Sequence, residues 1–283
     1  RVARRERRVR PEERKRRMRS SGFWTDTTLL DVFDDTARRD PDRIAIVAYD
    51  AVGNHIEMTY GQLADRSRRI ALNLRSLGVR RGEVVSFQLP NCWQFIALHL
   101  AALRIGAVTN PLMPIFRERE LEFMLGLAQS PLLIVPLSFR GFDHAAMAGR
   151  LKTKVRALER IFVVGGEGEA AFERLLDAVP GDGAGGSAGA ALVADDVALL
   201  LYTSGTTGEP KGVMHTSNSL LSNVRCFVER ARLTDQDVFF MASPMAHLTG
   251  FLVGLMLPLY LGARTVLQEV WDPAKAAGII EQN

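Results

Sequence analysis

Residues 203–212 read Thr-Ser-Gly-Thr-Thr-Gly-Glu-Pro-Lys-Gly. Thr203, Ser204, Thr206 and Thr207 place hydroxyls beside Gly205 and Gly208, and Lys211 follows closely. Glycines let such a loop turn tightly and bring backbone N–H groups up to an anion. The hydroxyls add donors and the lysine a mobile positive charge. This is equipment for holding a polyphosphate. A Walker A loop would instead read Gly-x-x-x-x-Gly-Lys-Ser/Thr and open a helix. Here Pro210 precedes Lys211, Gly212 follows it, and runs of strand type, 197–202 and 212–216, stand on either side. The strand–loop–strand context leaves the grip to the loop rather than to a helix N-terminus. The bland alternative is a plain Gly/Thr turn between two strands.

A second constellation is Ser243-Pro-Met-Ala-His247-Leu-Thr-Gly250, followed at helical spacing by Phe251, Leu252 and Leu255. A lone histidine beside an apolar helix is ordinarily packed and hydrogen-bonded. The apolar residues after it suit either an acid-binding pocket or plain core. His55, His99, His144 and His215 lie far apart, as do Cys92 and Cys226, and none has metal-ligand spacing. No Ser–His–Asp arrangement is evident.

The elements that must position these groups alternate. Apolar runs at 44–48, 83–88, 107–109, 131–135, 161–164, 196–202, 212–216, 238–242 and 264–267 read as strands. Thr59 with Gln62 forms a capping box for an amphipathic helix stopping at Gly78. Asn91 is expected to cap a helix closing at Gly106, 218–232 and 248–261 read as helices, and Pro273 opens a last one. The fold class is therefore α/β, with mostly parallel sheets covered by helices. Gly181, Gly183, Gly185, Gly186 and Gly189 mark a flexible connector. The expected organisation is a basic segment 1–20, a first α/β subdomain 21–180, a Gly-rich connector 181–194, and a second α/β subdomain 195–283 bearing the phosphate loop.

The 283 residues are 47% hydrophobic and 24% charged, ordinary for a globular protein. The net charge of +4 is local: residues 1–20 carry +8, so the remainder carries −4. That tail has no interleaved aromatics or base-reading motif, so no specific nucleic-acid partner is expected. Glu6, Glu12 and Glu13 argue against a transit peptide, and no apolar core follows the charges to make a secretory signal. Residues 241–263 lack charge, but Pro244, His247 and Pro258 interrupt them, and the apolar part 251–261 is too short to span a bilayer. The chain reads as soluble and cytoplasmic.

The stretch from Thr203 to Lys211, continuing Gly-Val-Met-His215, resembles the phosphate-loop signature of the acyl-adenylate-forming superfamily, which includes acyl-CoA synthetases, peptide-synthetase adenylation domains and luciferases. Met58-Thr-Tyr-Gly-Gln-Leu, Leu77-Gly-Val-Arg-Arg-Gly-Glu, and Arg104-Ile-Gly-Ala-Val-Thr-Asn-Pro are similar to its first blocks, and Ser243 to Gly250 to its Pro-x-x-His-x-x-Gly block. Phe251-Leu and Val270-Trp271-Asp272-Pro273 look most like the cyclohexanecarboxylate and medium-chain acyl-CoA ligase branch. The resemblance implies the large N-terminal domain of an ATP-dependent carboxylate–CoA ligase that forms an acyl adenylate and then a CoA thioester. It assigns Thr203, Ser204, Gly205, Thr206, Thr207, Gly208, Glu209, Pro210 and Lys211 to ATP. Lys211, Thr206 and His247 are implied as catalytic, and His247, Phe251 and Leu255 as the acid site. Pro210 stiffens the loop exit, and Glu209 is expected to be solvated. Magnesium and coenzyme A are implied as partners of the reaction. The family's Tyr-Gly-x-Thr-Glu and Thr-Gly-Asp blocks and its C-terminal domain are not among these residues. An N-terminal part, inactive alone and with its magnesium ligands elsewhere, is therefore expected. An amino-acid adenylation fragment and a non-catalytic relic are the alternatives.

Overall fold

The computed structural model describes residues 11–178, 192–203 and 210–283. The first ten residues of the basic segment and most of the Gly-rich connector lie outside the described residues. Helix α1 (Pro11–Ser20) leads into α2 (Leu29–Arg39), whose Thr28 cap and Asp31 form a capping box that the sequence reading passed over. Strands β1 (Ile44–Tyr49) and β2 (His55–Thr59) form a hairpin, and Thr59 with Gln62 caps α3 (Tyr60–Ser76) as expected. There follow β3 (Val84–Phe87), α4 (Trp93–Arg104), β4 (Val108–Pro111), α5 (Glu118–Ala128) and β5 (Leu132–Pro136). A short ribbon, β6 (Ser138–Phe139) and β7 (Phe142–Asp143), precedes α6 (His144–Lys154) and β8 (Arg160–Val164). Beyond the connector come β9 (Val197–Thr203), β10 (Lys211–Thr216), α7 (Ser217–Ala231), β11 (Val238–Met241), α8 (Leu248–Phe251), α9 (Leu257–Leu261), β12 (Arg264–Gln268) and α10 (Pro273–Gln282).

The strands form a four-stranded sheet ordered β11-β12-β1-β2 and a six-stranded sheet ordered β10-β9-β4-β3-β5-β8. Pairing is parallel except at the β1–β2 and β9–β10 hairpins and the β6–β7 ribbon. The α/β class with mainly parallel sheets is as the sequence predicts. The expected division at 181–194 does not follow the sheets, because each takes strands from both sides of the connector. Composition marks a loop there, but pairing partners are set by long-range burial that local composition does not encode.

The main core lies between the two sheets. It joins Ile46 and Met58 to Val85, Phe87, Ile134 and Leu199, with α4 enclosed among them. Every residue of α4 from Phe95 to Arg104 is buried, the expected fate of a helix apolar all round. Its one charge, Arg104, is neutralised by Asp34 and donates to Ser67 Oγ at 3.0 Å. Helices α5 and α6 cover the outer face of the larger sheet, and α10 packs on the outer face of the smaller one. Among the described residues no helix is long and apolar enough to cross a membrane.

Candidate active site

Strand β9 runs parallel to β4, with Thr109 opposite Leu199, so Thr203 emerges at the carboxyl end of the larger sheet. In open α/β sheets that end is where ligands bind. The chain returns as β10, and Thr203 and Lys211 face each other on the last rung. Both are exposed and Pro210 is half-buried. Lys211 makes no ion pair among the described residues. Ser204, Gly205, Thr206, Thr207, Gly208 and Glu209, the rest of the expected loop, lie outside the described residues. Tyr202 anchors the rung beneath: its hydroxyl donates to the Met124 carbonyl of α5 at 2.9 Å, and burial pushes that phenol up to about 12. At the far end of the hairpin, the buried Asn218 amide donates to Asp26 and Asp195, both at 2.9 Å, and Arg19 bridges the same two carboxylates.

The second constellation stands at the carboxyl end of the smaller sheet. Beyond β11 the chain turns through Pro244–His247, closed by the His247 N–H donating to the Pro244 carbonyl at 3.0 Å. His247 becomes the N-cap of α8. Its Nδ1 accepts from the Thr249 N–H at 3.4 Å, so the neutral ring carries its proton on Nε2, and the side chain is exposed. Gly250 lies against the Pro244 carbonyl, where any Cβ would overlap it. The Pro-x-x-His-x-x-Gly spacing therefore has a steric cause: the turn folds back onto the residue that lacks a side chain.

Two expectations are corrected here. Asn91 does not cap α4; Cys92 occupies the N-cap position without a side-chain bond. The Asn91 side chain instead spans to the other sheet, donating to the Ser243 and Met241 carbonyls at 3.0 and 3.3 Å. The helix expected over 248–261 forms without a break but is not α-helical throughout, because Leu252–Met256 is π-helical between α8 and α9. Gly254 sits there, with the Met241 side chain 2.6 Å from where its Cβ would be, and its carbonyl accepts from Thr265 Oγ1 at 2.9 Å. Phe251 and Leu255 are wholly buried in the main core. Phe251 packs on the edge of His99, 4.9 Å between centroids, and His99 Nδ1 meets Thr109 Oγ1 at 2.9 Å. Burial alone holds the His99 imidazole down at about 3, so it stays neutral.

Between the two sheet ends lies a crevice of about 450 Å³. Pro90, Asn91, Met113 and Pro114 line it at the end of the larger sheet, Phe139 from the β6–β7 ribbon, and Ser243, Pro244 and Trp271 at the end of the smaller sheet. Arg140 and Glu269 are its charged lining residues. A neighbouring pocket of about 220 Å³ shares Pro90, Asn91 and Glu269 with it. The structure thus puts Thr203 and Lys211 together, and His247 beside Ser243 and Pro244, at the carboxyl ends of two different sheets; Phe251 and Leu255 line neither cavity. Sequence reasoning missed Arg140 and Glu269. Nothing in the local pattern singles them out, since crossovers distant in sequence deliver both to the crevice. The Cys92 thiol is pushed up to about 12 by burial, which removes it as a nucleophile. Among the described residues no group of three or more His, Cys, Asp or Glu side chains is placed to hold a metal ion.

Residues 33–283 match the AMP-binding enzyme family. The chain is 35% identical over 272 residues to a medium-chain fatty-acid–CoA ligase of Escherichia coli (strain K12), covering 96% of this chain and 47% of that protein. It is 32% identical to a salicyl-AMP ligase / salicyl-S-ArCP synthetase of Mycobacterium tuberculosis (strain ATCC 25618 / H37Rv), covering 96% and 48%. Among solved structures, apo MbtA of Mycobacterium smegmatis superimposes with a TM-score of 0.83 at 30% identity over 96% of this chain and 49% of that one. ATP-bound MatB of Rhodopseudomonas palustris gives 0.71 at 27% identity over 90% and 48%. The chain spans about half the length of the curated relatives it matches. Sheet ends that face one crevice, a hairpin presenting Thr203 and Lys211 at the carboxyl end of the larger sheet, and a match across most of the described residues agree with one another: the chain belongs to the AMP-binding enzyme family.

Proposed function

We propose that the protein carrying this chain is an ATP-dependent carboxylate–CoA ligase, and that these residues form its phosphate-gripping half. ATP, a carboxylic acid and coenzyme A are its substrates, and the cytoplasm is its compartment. One observation carries the reading: Thr203 and Lys211 share the last rung of a hairpin that opens at the carboxyl end of the larger sheet, leaving an exposed ammonium beside the glycine- and threonine-rich loop. ATP supplies the phosphorus that a carboxylate attacks and the pyrophosphate that departs. The nucleophiles belong to the substrates, so the protein's task is to hold like-charged groups in line and to neutralise charge growing on the leaving group. The Thr203, Ser204, Thr206 and Thr207 hydroxyls, the Gly205 and Gly208 amides and Lys211 take the phosphates. Pro210 fixes the exit of the loop. His247, held by its N-cap bond with Nε2–H outward, donates at the acid end, while Phe251 and Leu255 fix its turn from within the core. Magnesium accompanies ATP in this reading; the described residues give it no ligand set, so no step is derived through it.

The test is acid-dependent ATP–pyrophosphate exchange by the intact protein, with straight-chain and aromatic carboxylic acids offered in parallel. Stimulation by one class is expected. Exchange that no acid stimulates would sink the reading.

A further inference from the structure

Glu269 is the first residue past β12 and lies in the wall shared by the crevice and the neighbouring pocket. Met241 and Leu267 form the last pair between β11 and β12, and two residues beyond that pair Ser243 and Glu269 both line the crevice. Glu269 therefore stands at the foot of the turn that presents His247. Its position is fixed. The Glu269 N–H donates to the Tyr49 carbonyl at 3.0 Å, Oε2 accepts from the Ala51 N–H at 2.8 Å, and the Gln268 side chain is tied to Asp272 next door. The other carboxylate oxygen has no hydrogen bond among the described residues. The charged and titratable groups around it are Tyr49, Asp50 and His55 from the β1–β2 hairpin, the Cys92 thiol at the start of α4, Arg140 across the crevice, and Lys275, which holds the Ala51 carbonyl at 3.1 Å. Burial first, and then the Asp50 carboxylate, raise the Glu269 carboxyl above the ordinary carboxylate range, while the Ala51 N–H opposes them.

We propose that Glu269 is the base that takes the thiol proton when the acyl group passes from its adenylate to a sulfur acceptor. This rests on the adenylate-forming reading above. In that step the S–H bond breaks and its proton goes to the free Glu269 oxygen. The sulfur electron pair forms the bond to the acyl carbon. The bond from that carbon to the phosphate oxygen breaks, and its pair leaves with AMP. The proton then passes to water in the open crevice, so nothing is oxidised or reduced. A carboxylate shifted upward is a better acceptor than an ordinary one, and proton transfer concerted with attack does not require the thiol to ionise beforehand. The crevice's other charged lining residue, Arg140, cannot accept a proton.

Glu269→Gln in the intact protein keeps the volume and the acceptor for the Ala51 N–H but cannot take the proton. Two half-reactions are read: acid-dependent ATP–pyrophosphate exchange, and single-turnover transfer of a preformed acyl adenylate to coenzyme A. Exchange should stay within about two-fold of wild type, while transfer at neutral pH falls by about 10²-fold, the usual worth of a positioned base. The wild-type transfer rate should fall as acid protonates the carboxylate, and Glu269→Gln should lose that limb. Glu269→Asp should recover part of the rate. Wild-type transfer with an unchanged pH profile in Glu269→Gln would overturn the assignment. So would equal losses in both half-reactions, which would make Glu269 structural. Absence of acid-dependent exchange in the wild type would remove the ligase reading itself, and this proposal with it.

Discussion

The Asn91 side-chain carbonyl accepts the backbone N–H of Met245 at 2.8 Å, joining the end of the larger sheet to the turn that carries His247 on the smaller one. The Asn91 amide also donates to Ser243 and Met241, so one side chain holds three backbone groups across the crevice floor. Replacing it leaves buried backbone groups unpaired, at about 1–3 kcal/mol. Asn91→Leu should lower the denaturation midpoint of the intact protein accordingly and raise the KM for the acid. An unchanged midpoint would mean that water replaces the side chain without loss.

Gly250 has no room for a side chain under the Pro244 carbonyl. Gly250→Ala must shift backbone on one side of the turn, so a loss of about 2 kcal/mol or more is expected. Gly278, with open space around it, is the internal control: Gly278→Ala in α10 should be neutral or stabilising by about 0.5–1 kcal/mol. Similar midpoints for the two variants would contradict the packing described.

In the proposed reaction, Lys211→Ala removes the charge that answers the leaving pyrophosphate. By analogy with the loss of one preorganised donor, acid-dependent exchange should slow by about 10²–10³-fold. Affinity for the carboxylic acid, measured by titration without ATP, should hardly change. Equal losses in exchange and acid binding would argue against the role given to this lysine.

His99 makes stability depend on pH. In the unfolded chain the ring titrates at the ordinary 6.5, whereas burial holds it at about 3 in the folded protein. The folded-state value is depressed, so the contribution is complete above 6.5 and is lost as pH falls toward 3, where the unfolded state binds a proton that the native state refuses. The slope approaches about 1.4 kcal/mol per pH unit inside that window. Denaturation midpoints of wild type and His99→Gln from pH 7 to pH 4 check this; the wild type should lose more of its stability, and parallel curves would place the titration elsewhere.

Much of this architecture was legible in the residues because local chemistry decided it. Apolar runs became strands, Thr59 with Gln62 started α3, and the spacing from Thr203 to Lys211 announced a loop between two strands. What could not be read was set by distant partners. Asn91 has the right type for a helix cap, but the carbonyls at the end of β11 and just past it compete for it and win. The 248–261 segment has helical periodicity and is helical throughout, yet its Leu252–Met256 stretch takes the π form, which the local pattern does not announce. The capping box of Thr28 and Asp31 was there to be found. Glu269 was not, since a single glutamate after a strand acquires meaning only when two crossovers enclose it.

The interleaving of the two sheets also bears on how the molecule comes to be made. β1 waits for β12, some two hundred residues later in synthesis, and β4 waits for β9. Until the ribosome has released the chain through Gln268, the strand that ends at Tyr49 has only its hairpin partner. Contacts so far apart in sequence form slowly, and unpaired edges stick to one another meanwhile. The arrangement that interleaves the two sheets around one crevice thereby leaves the newborn polypeptide with unpaired strand edges until late in its synthesis.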